Sequence, residues 1–117
     1  MELKNETFQR FGKNFQENLC HLMLKDRTFC DQISEVLDVE FIQYEHLRIF
    51  VTILLEYRSK YRKHPSYKTM ATIITSEVGK YTNALKKQLT LFYSKVINNN
   101  DIESAEFIKD HAIDFCR

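Results

Sequence analysis

Hydrophobic residues recur at intervals of three and four along six segments of the 117-residue chain, and no segment shows a convincing alternation of polar and apolar residues. The first spacing is that of an amphipathic α-helix, whereas a half-buried β-strand alternates every second residue. The pattern therefore predicts an all-α protein, built as a six-helix orthogonal bundle. The predicted helices cover residues 7–25, 28–37, 40–62, 67–78, 83–97 and 102–117.

The third predicted helix carries apolar residues around most of its circumference between Phe41 and Tyr61. A helix that is apolar nearly all round is stable only when other elements surround it. We therefore expect the third helix to be the central element of the bundle, with the shorter helices packed on every side of it.

Capping residues mark several helix boundaries in the sequence. Thr28 and Asp31 have the spacing of a capping box at the start of the second helix. Pro65 disfavours a helical conformation in the residue before it, and Ser66 is a favoured N-cap, so the third helix is expected to end here and the fourth to begin. Gly79 suits the left-handed position just after the fourth helix.

The last two predicted helices carry apolar seams that favour a helical hairpin. The seam residues are Leu85, Leu89, Phe92 and Val96 in the fifth helix and Ile102, Ala105, Ile108, Ala112 and Phe115 in the sixth. A tight polar turn joins the two helices, and Asn100 with Glu103 forms a second capping signature there. The prediction is a single domain with a globular head in residues 1–80 and a hairpin in residues 81–117.

Four apolar side chains of these helices lie off the seams, namely Leu91, Tyr93, Phe107 and Ile113. They leave apolar surface on the hairpin that a second chain could cover, which predicts a homo-oligomer. The sixth helix is still periodic at Arg117, where it has no glycine, proline or cap, so we expect it to continue beyond this sequence.

The formal net charge of +1 hides a strong segregation along the chain. Residues 1–56 contain six Lys/Arg against ten Asp/Glu, residues 57–100 contain nine against one, and residues 101–117 contain two against five. The basic middle segment includes Arg58, Lys60, Arg62, Lys63 and Lys68. These side chains, interleaved with tyrosines, suit contact with DNA or an acidic partner. The other interpretation is a solvated helix end, where the helix dipole favours cations.

The composition excludes several classes of protein. No apolar run reaches the roughly 18 residues that a membrane span needs, and the N-terminus has no secretory signal, so we expect a cytoplasmic protein without membrane contact. Cys20, Cys30 and Cys116 are an odd, widely spaced set, which suits reduced thiols. Gly12 and Gly79 are the only glycines, so the chain lacks a phosphate-binding loop and should not bind ATP that way.

Metal binding is not expected either. No histidine has a second His or Cys at the spacing of three or four that a structural zinc site uses. An acidic stripe along the sixth helix is formed by Glu103, Glu106, Asp110 and Asp114. Such carboxylates can hold a divalent ion in a small helical enzyme, but a solvated face opposite the apolar seam explains them more simply.

Three stretches resemble the N-terminal domain of DnaB-type replicative DNA helicases, particularly the phage-like ones. They are FGKNFQENLCHLMLKDRTFCDQISEVLDVEFI, EYRSKYRKHPSYKTM and FIKDHAIDFCR. The matching elements are the end of the first helix at residues 24–27, a short helix at 29–37, the entry to the long helix at 38–41, and Tyr61 with Pro65-Ser66 at its end. Val39 stands where a proline is common in the family.

The resemblance implies a non-catalytic domain of a hexameric, ATP-dependent helicase of DNA replication, in a bacterial or phage-infected cell. Hairpins of neighbouring subunits would pair as dimers within the ring, and primase or a helicase loader would be further partners. ATP and Mg²⁺ would bind only a separate motor domain, so this domain would need no cofactor. Its self-association residues would be Leu85, Leu89, Phe92, Val96, Ile108, Ala112 and Phe115. The alternative function is an autonomous nucleic-acid-binding module that uses residues 57–100.

Overall fold

The computed structural model describes residues 6–99 and 101–117, and the predicted cap at Asn100 lies outside them. The described residues form six α-helices and three 3-10 helices, without a strand. The α-helices are α1 (Gly12–Lys25), α2 (Arg27–Ile33), α3 (Glu45–Tyr61), α4 (Tyr67–Glu77), α5 (Asn83–Asn98) and α6 (Ala105–Cys116). The 3-10 helices are Phe8–Phe11, Val39–Phe41 and Val78–Lys80. The all-α class is therefore confirmed.

The glycine with a positive φ is not the predicted one. Gly12 has a φ of 88° and separates the 3-10 helix Phe8–Phe11 from α1, so the first predicted helix consists of two pieces. Gly79 lies inside the 3-10 helix Val78–Lys80 without a positive φ. The left-handed residue that follows a helix is instead Arg62, with a φ of 57°, directly after α3. The prediction for Gly79 was wrong because the chain tightens into a 3-10 turn after α4 rather than reversing.

The cap of α2 is Asp26 and not the predicted pair of Thr28 and Asp31. The Oδ1 atom of Asp26 accepts a hydrogen bond of 3.1 Å from the backbone N–H of Phe29, and its Oδ2 atom lies 2.6 Å from Nζ of Lys109 on α6. One carboxylate therefore caps α2 and ties it to α6. Thr28 lies inside α2 and has no capping role.

Side-chain caps precede and follow α3 but belong to the neighbouring helices. Ser66 caps α4 as expected, because its Oγ accepts a hydrogen bond of 3.0 Å from the backbone N–H of Thr69. Asp38 caps only the 3-10 helix Val39–Phe41, by accepting from Glu40 at 2.9 Å. The helix α3 itself begins at Glu45, later than the predicted start at residue 40.

One continuous core runs through the bundle from Phe8 to Ala112. The helix α3 packs against α1, α4 and α5, and its side chains Phe50 and Leu54 are completely buried. The helix α1 contributes a second buried face, which contacts α2 and α6 as well as α3. The central place of α3 agrees with the prediction, although one of its faces remains open, as described below.

The arrangement of α5 and α6 differs from the predicted hairpin. Although they follow each other along the chain, α5 packs mainly against α3 and α4, whereas α6 packs against α1 and α2. Each seam thus meets helices from the first part of the chain, which remove its apolar side chains from water. The seams belong to the same core as the rest of the bundle, so the packing does not divide the chain into a head and a hairpin.

Candidate functional surfaces

Five of the seven residues predicted for self-association lie inside the core of their own chain. Leu89, Phe92, Val96, Ile108 and Ala112 are each at most 4% exposed. The ring of Phe92, for example, meets that of Phe50 edge-on at a centroid distance of 5.1 Å. Because these side chains have no surface to offer another copy, their assignment to a contact between chains is corrected. They hold the fold.

The other two predicted residues, Leu85 and Phe115, are half-buried. The ring of Phe115 lies 4.7 Å from that of Phe8 and 5.3 Å from that of Phe41. Phe115 therefore joins α6 to the N-terminal 3-10 helix and to the entry of α3. A role of Leu85 and Phe115 in self-association stays a prediction.

Apolar surface is nevertheless left on the last two helices. Among the described residues, the large apolar side chains that are more than half exposed are Tyr61 at the end of α3, Leu91 and Ile97 on α5, and Phe107 on α6, with Leu91 at 56% and Phe107 at 53%. Three of these four thus belong to α5 or α6. The exposure of Leu91 on α5 and of Phe107 on α6 agrees with two of the off-seam predictions, and Ile97 is an addition to them.

The other two off-seam residues do not contribute to that surface. Tyr93 is 6% exposed, and its hydroxyl donates a hydrogen bond to the backbone oxygen of Tyr67. Ile113 is half-buried against the core. The prediction of leftover surface was therefore wrong for Tyr93, because α4 covers that side of α5.

Arg58, which was predicted to contact DNA or an acidic partner, is used inside the fold. Its guanidinium pairs with Asp31 of α2 and donates a hydrogen bond of 2.6 Å to Nδ1 of His64. The other ring nitrogen of His64 lies 2.6 Å from the backbone oxygen of Leu24. Because arginine can only donate, His64 is neutral and carries its proton on Nε2, which donates to Leu24. This network fixes the joint between α3 and α4 to α1 and α2.

The remaining predicted basic residues, Lys60, Arg62, Lys63 and Lys68, are all exposed. The Nζ atom of Lys60 lies 5.4 Å from the ring centroid of Tyr61. Arg62, Lys63 and Lys68 have no ion pair within residues 6–99 and 101–117. Their charges therefore remain open to an anionic partner.

Besides His64 at the joint between α3 and α4, the chain has other histidine side chains that are buried. His21 is 3% exposed, its Nε2 lies 3.3 Å from the hydroxyl of Tyr67, and burial, together with the charge of Lys25, lowers its pKa to about 4. Burial also lowers the pKa of His46 and of His64. All three side chains are therefore held in the neutral form by the fold.

This burial predicts a loss of stability in acid. An unfolded histidine titrates near 6.5, so between pH 6.5 and 4 the unfolded chain binds a proton at residue 21 that the folded chain does not. The stabilisation is complete above pH 6.5 and falls as the pH approaches 4. We expect His21 alone to lower the free energy of unfolding by about 2–3 kcal/mol between pH 7 and pH 4.5.

Urea unfolding at a series of pH values measures this effect. The variant His21→Gln should lose the contribution of about 2–3 kcal/mol from His21 and keep the part that His46 and His64 supply, with His111→Gln at an exposed position as the control. An unchanged pH dependence in His21→Gln would contradict the assignment.

The thiols and the acidic stripe show no reactive arrangement in the described part of the chain. Cys20, Cys30 and Cys116 are free, and burial raises the pKa of all three thiols, to about 11 for Cys30 and Cys116. No group of three or more His, Cys, Asp or Glu side chains among the described residues is placed to hold a metal ion. None of the helices described is long and apolar enough to cross a membrane.

Sequence reasoning missed one surface feature, an open face of α3. Every third or fourth residue from Glu45 to Tyr61 lines a groove of about 660 Å³, whose walls are the 3-10 helix Val39–Phe41 and the C-terminal half of α4. The sequence predicted that α3 would be surrounded, because its apolar residues are so numerous. The charged and hydroxyl residues at the same spacing, beginning with Glu45 and Arg48, were the available signal for an exposed stripe.

Comparison of the chain with protein-family models, with curated proteins and with solved structures gives no match.

Proposed function

We propose that this chain is a non-catalytic assembly and interaction domain of the kind found at the N-terminus of DnaB-type replicative helicases. The observation that carries the proposal is the exposure of Leu91, Ile97 and Phe107 on the last two helices. Apolar side chains on the outer faces of consecutive helices favour association with a second copy. These three residues take the place of the buried seam residues in the proposed contact.

The residues that carry the resemblance lie at the joints of the bundle, which supports the proposal. Residues 24–27 contain Asp26, the cap of α2. Residues 38–41 form the short 3-10 entry to α3. Pro65 is buried and Ser66 caps α4. A shared set of joints favours a shared order and length of helices.

The size of the exposed set indicates a weak contact. Burying a half-exposed Leu, Ile or Phe contributes roughly 1 kcal/mol, so three residues on each of two copies supply about 6 kcal/mol. Loss of translational and rotational freedom costs at least about 4 kcal/mol. The dissociation constant on the order of 100 μM that we expect for the isolated domain corresponds to about 5.5 kcal/mol, so the side chains around these three must supply roughly a further 3.5 kcal/mol. In a hexameric ring, where the copies are tethered to one another, the same contact becomes effectively intramolecular and much stronger.

Sedimentation velocity tests the proposal. Between about 10 μM and 500 μM, a range that brackets the expected dissociation constant, the sedimentation coefficient should rise from the monomer value toward that of a dimer. A chain that sediments as a strict monomer over the whole range contradicts self-association. Primase or a helicase loader would be additional partners of such a domain in the full-length helicase.

A second candidate function is nucleic-acid binding by the basic segment, residues 57–100. The observation that favours it is the exposure of Arg62, Lys63 and Lys68 without an ion pair in the described part of the chain. They lie close together in sequence around the joint between α3 and α4. Arg58 is not part of this set, because it is held by Asp31 and His64.

The nucleic-acid candidate predicts DNA binding that weakens with salt. The triple variant Arg62→Ala/Lys63→Ala/Lys68→Ala should bind a fluorescent DNA duplex more weakly, and the slope of log K against log[salt] should fall by about 0.9 for each phosphate that the variant no longer neutralises. The double variant Lys13→Ala/Arg27→Ala, which removes two exposed cations outside residues 57–100, is the matched control and should retain most of the affinity. If the wild-type chain shows no anisotropy change at low salt, this candidate is removed.

A further inference from the structure

The open face of α3 has the dimensions of a binding groove for one helix. The exposed stripe runs from Glu45 to Tyr61, the whole length of α3. At 1.5 Å per residue this is about 24 Å, the length of a helix of four to five turns. An amphipathic helix that lays its apolar face into such a groove is a recurrent mode of recognition.

The floor of the groove is apolar and aromatic. Ile49, Tyr57 and Ile73 are half-buried and line it, and the ring of Tyr57 lies 4.7 Å from that of Tyr61, which is 54% exposed. Half-exposed apolar side chains in a concave surface gain most from a partner that fills the groove. A ridge of apolar side chains at a spacing of three and four would contact them.

The rim of the groove carries more negative than positive charge. Glu40, Glu45 and Glu56 line it and have no ion pair within the described residues. Two cations also line it, but Arg48 donates hydrogen bonds of 2.7 and 2.9 Å to two backbone oxygens of the loop before α3, and Lys60 lies over the Tyr61 ring. The remaining potential favours a cationic partner.

We propose that this groove binds an amphipathic helix of another protein, in which lysine or arginine residues flank an apolar ridge. The length of α3 indicates the length of the partner helix, and the apolar floor indicates an apolar ridge with residues spaced by three and four. The three carboxylates indicate that the partner is positively charged. The inference goes beyond the proposed function and does not depend on it, because self-association is assigned to α5 and α6 and this groove to α3.

A pair of synthetic peptides tests the groove. The first is a fluorescent amphipathic peptide of about 18 residues, roughly 27 Å as a helix, with leucines spaced by three and four and lysines on both flanks. The second has glutamates in place of the lysines. We expect the lysine peptide to bind the full chain with a dissociation constant on the order of tens of micromolar, and the glutamate peptide at least about tenfold more weakly.

Variants locate the binding. Glu56→Lys and Tyr61→Ala change exposed residues of the groove, and each should weaken binding of the lysine peptide by about tenfold or more. Glu103→Lys makes the same charge change at an exposed position outside the groove and should bind like the wild type. In ¹⁵N correlation spectra of the wild-type chain, the lysine peptide should shift the amide signals of Thr52 and Ile73, which requires no variant to fold.

Three outcomes would overturn the inference. Equal binding of the two peptides would show that charge does not select the partner. Equal weakening by Glu56→Lys and Glu103→Lys, or amide shifts away from α3 and α4, would place the peptide elsewhere. Loss of self-association in Tyr61→Ala would assign the groove to a second copy of this chain. If self-association is absent but the peptide binds as expected, the groove stands and the proposed dimer fails.

Discussion

The double variant Leu91→Glu/Phe107→Glu is expected to remain a folded monomer at concentrations where we expect the wild-type chain to form dimers. Both side chains are more than half exposed, so a carboxylate at either position stays in water in the monomer and costs little stability. In a dimer, the same carboxylates would be buried without a partner or placed opposite each other, which costs several kcal/mol. We therefore expect the dissociation constant to rise by at least about 100-fold in sedimentation velocity.

Tyr61→Glu is the matched control for this variant. Tyr61 is 54% exposed, close to the values for Leu91 and Phe107, but it lies at the end of α3. It should leave the dimer intact, because it changes a residue of the α3 groove and none on α5 or α6. If Tyr61→Glu abolishes the dimer and Leu91→Glu/Phe107→Glu does not, then the contact lies on α3 and the assignment to α5 and α6 is wrong.

Phe92→Ala changes the residue that follows Leu91 in the chain. It is expected to lower the stability of the fold rather than to disrupt the dimer. Phe92 is 3% exposed and packs edge-on against Phe50 and near His46. Truncation of a buried phenylalanine leaves a cavity and typically costs about 3–5 kcal/mol of unfolding free energy. Urea unfolding of the dilute monomer measures this loss.

The control for Phe92→Ala is Leu91→Ala, which truncates the neighbouring apolar side chain on the outer face. It should change the free energy of unfolding by no more than about 0.5 kcal/mol. A stable Phe92→Ala variant that no longer dimerises would show that the seam of α5 faces another chain after all. Adjacent residues thus separate a role in the fold from a role in assembly.

The helices were predictable because their signals are local. The spacing of apolar residues in 83–97 lies within one residue of the observed α5, Asn83–Asn98. Ser66 could be recognised as a cap because its Oγ accepts from the backbone N–H of Thr69, only three positions further along the chain. At the start of α2 the cap is Asp26 rather than Thr28, and Asp26 also contacts Lys109, which lies 83 positions away and so gives no signal in the local sequence.

The spacing of the apolar residues did not predict which surface the seams pack against. A seam at a period of three and four shows that Leu89 and Phe92 need a partner surface, but it does not say whether that surface is α6, α3 or another copy. The answer depends on how all the helices fit together, which is a property of the whole chain. The off-seam positions were a better guide, since Leu91 and Phe107 remain exposed.

The basic segment shows the same limit for charges. Arg58 stands among other cations in the sequence, and nothing nearby distinguishes it from Arg62. The fold separates them, because Arg58 meets Asp31, 27 positions earlier, and His64, whose ring reaches Leu24. Charge counted along the chain therefore indicates a basic region but not which side chains are free.

Isotope-filtered NOE spectroscopy on a mixture of ¹³C-labelled and unlabelled chain tests the central claim, that copies meet through the outer faces of α5 and α6. The spectrum reports only protons of one copy that lie within about 5 Å of protons of another, a distance typical of packed side chains. We predict intermolecular signals from the methyl groups of Leu91 and Ile97 and from the ring of Phe107. Intermolecular signals that arise only at other residues, such as Tyr61, would contradict the claim.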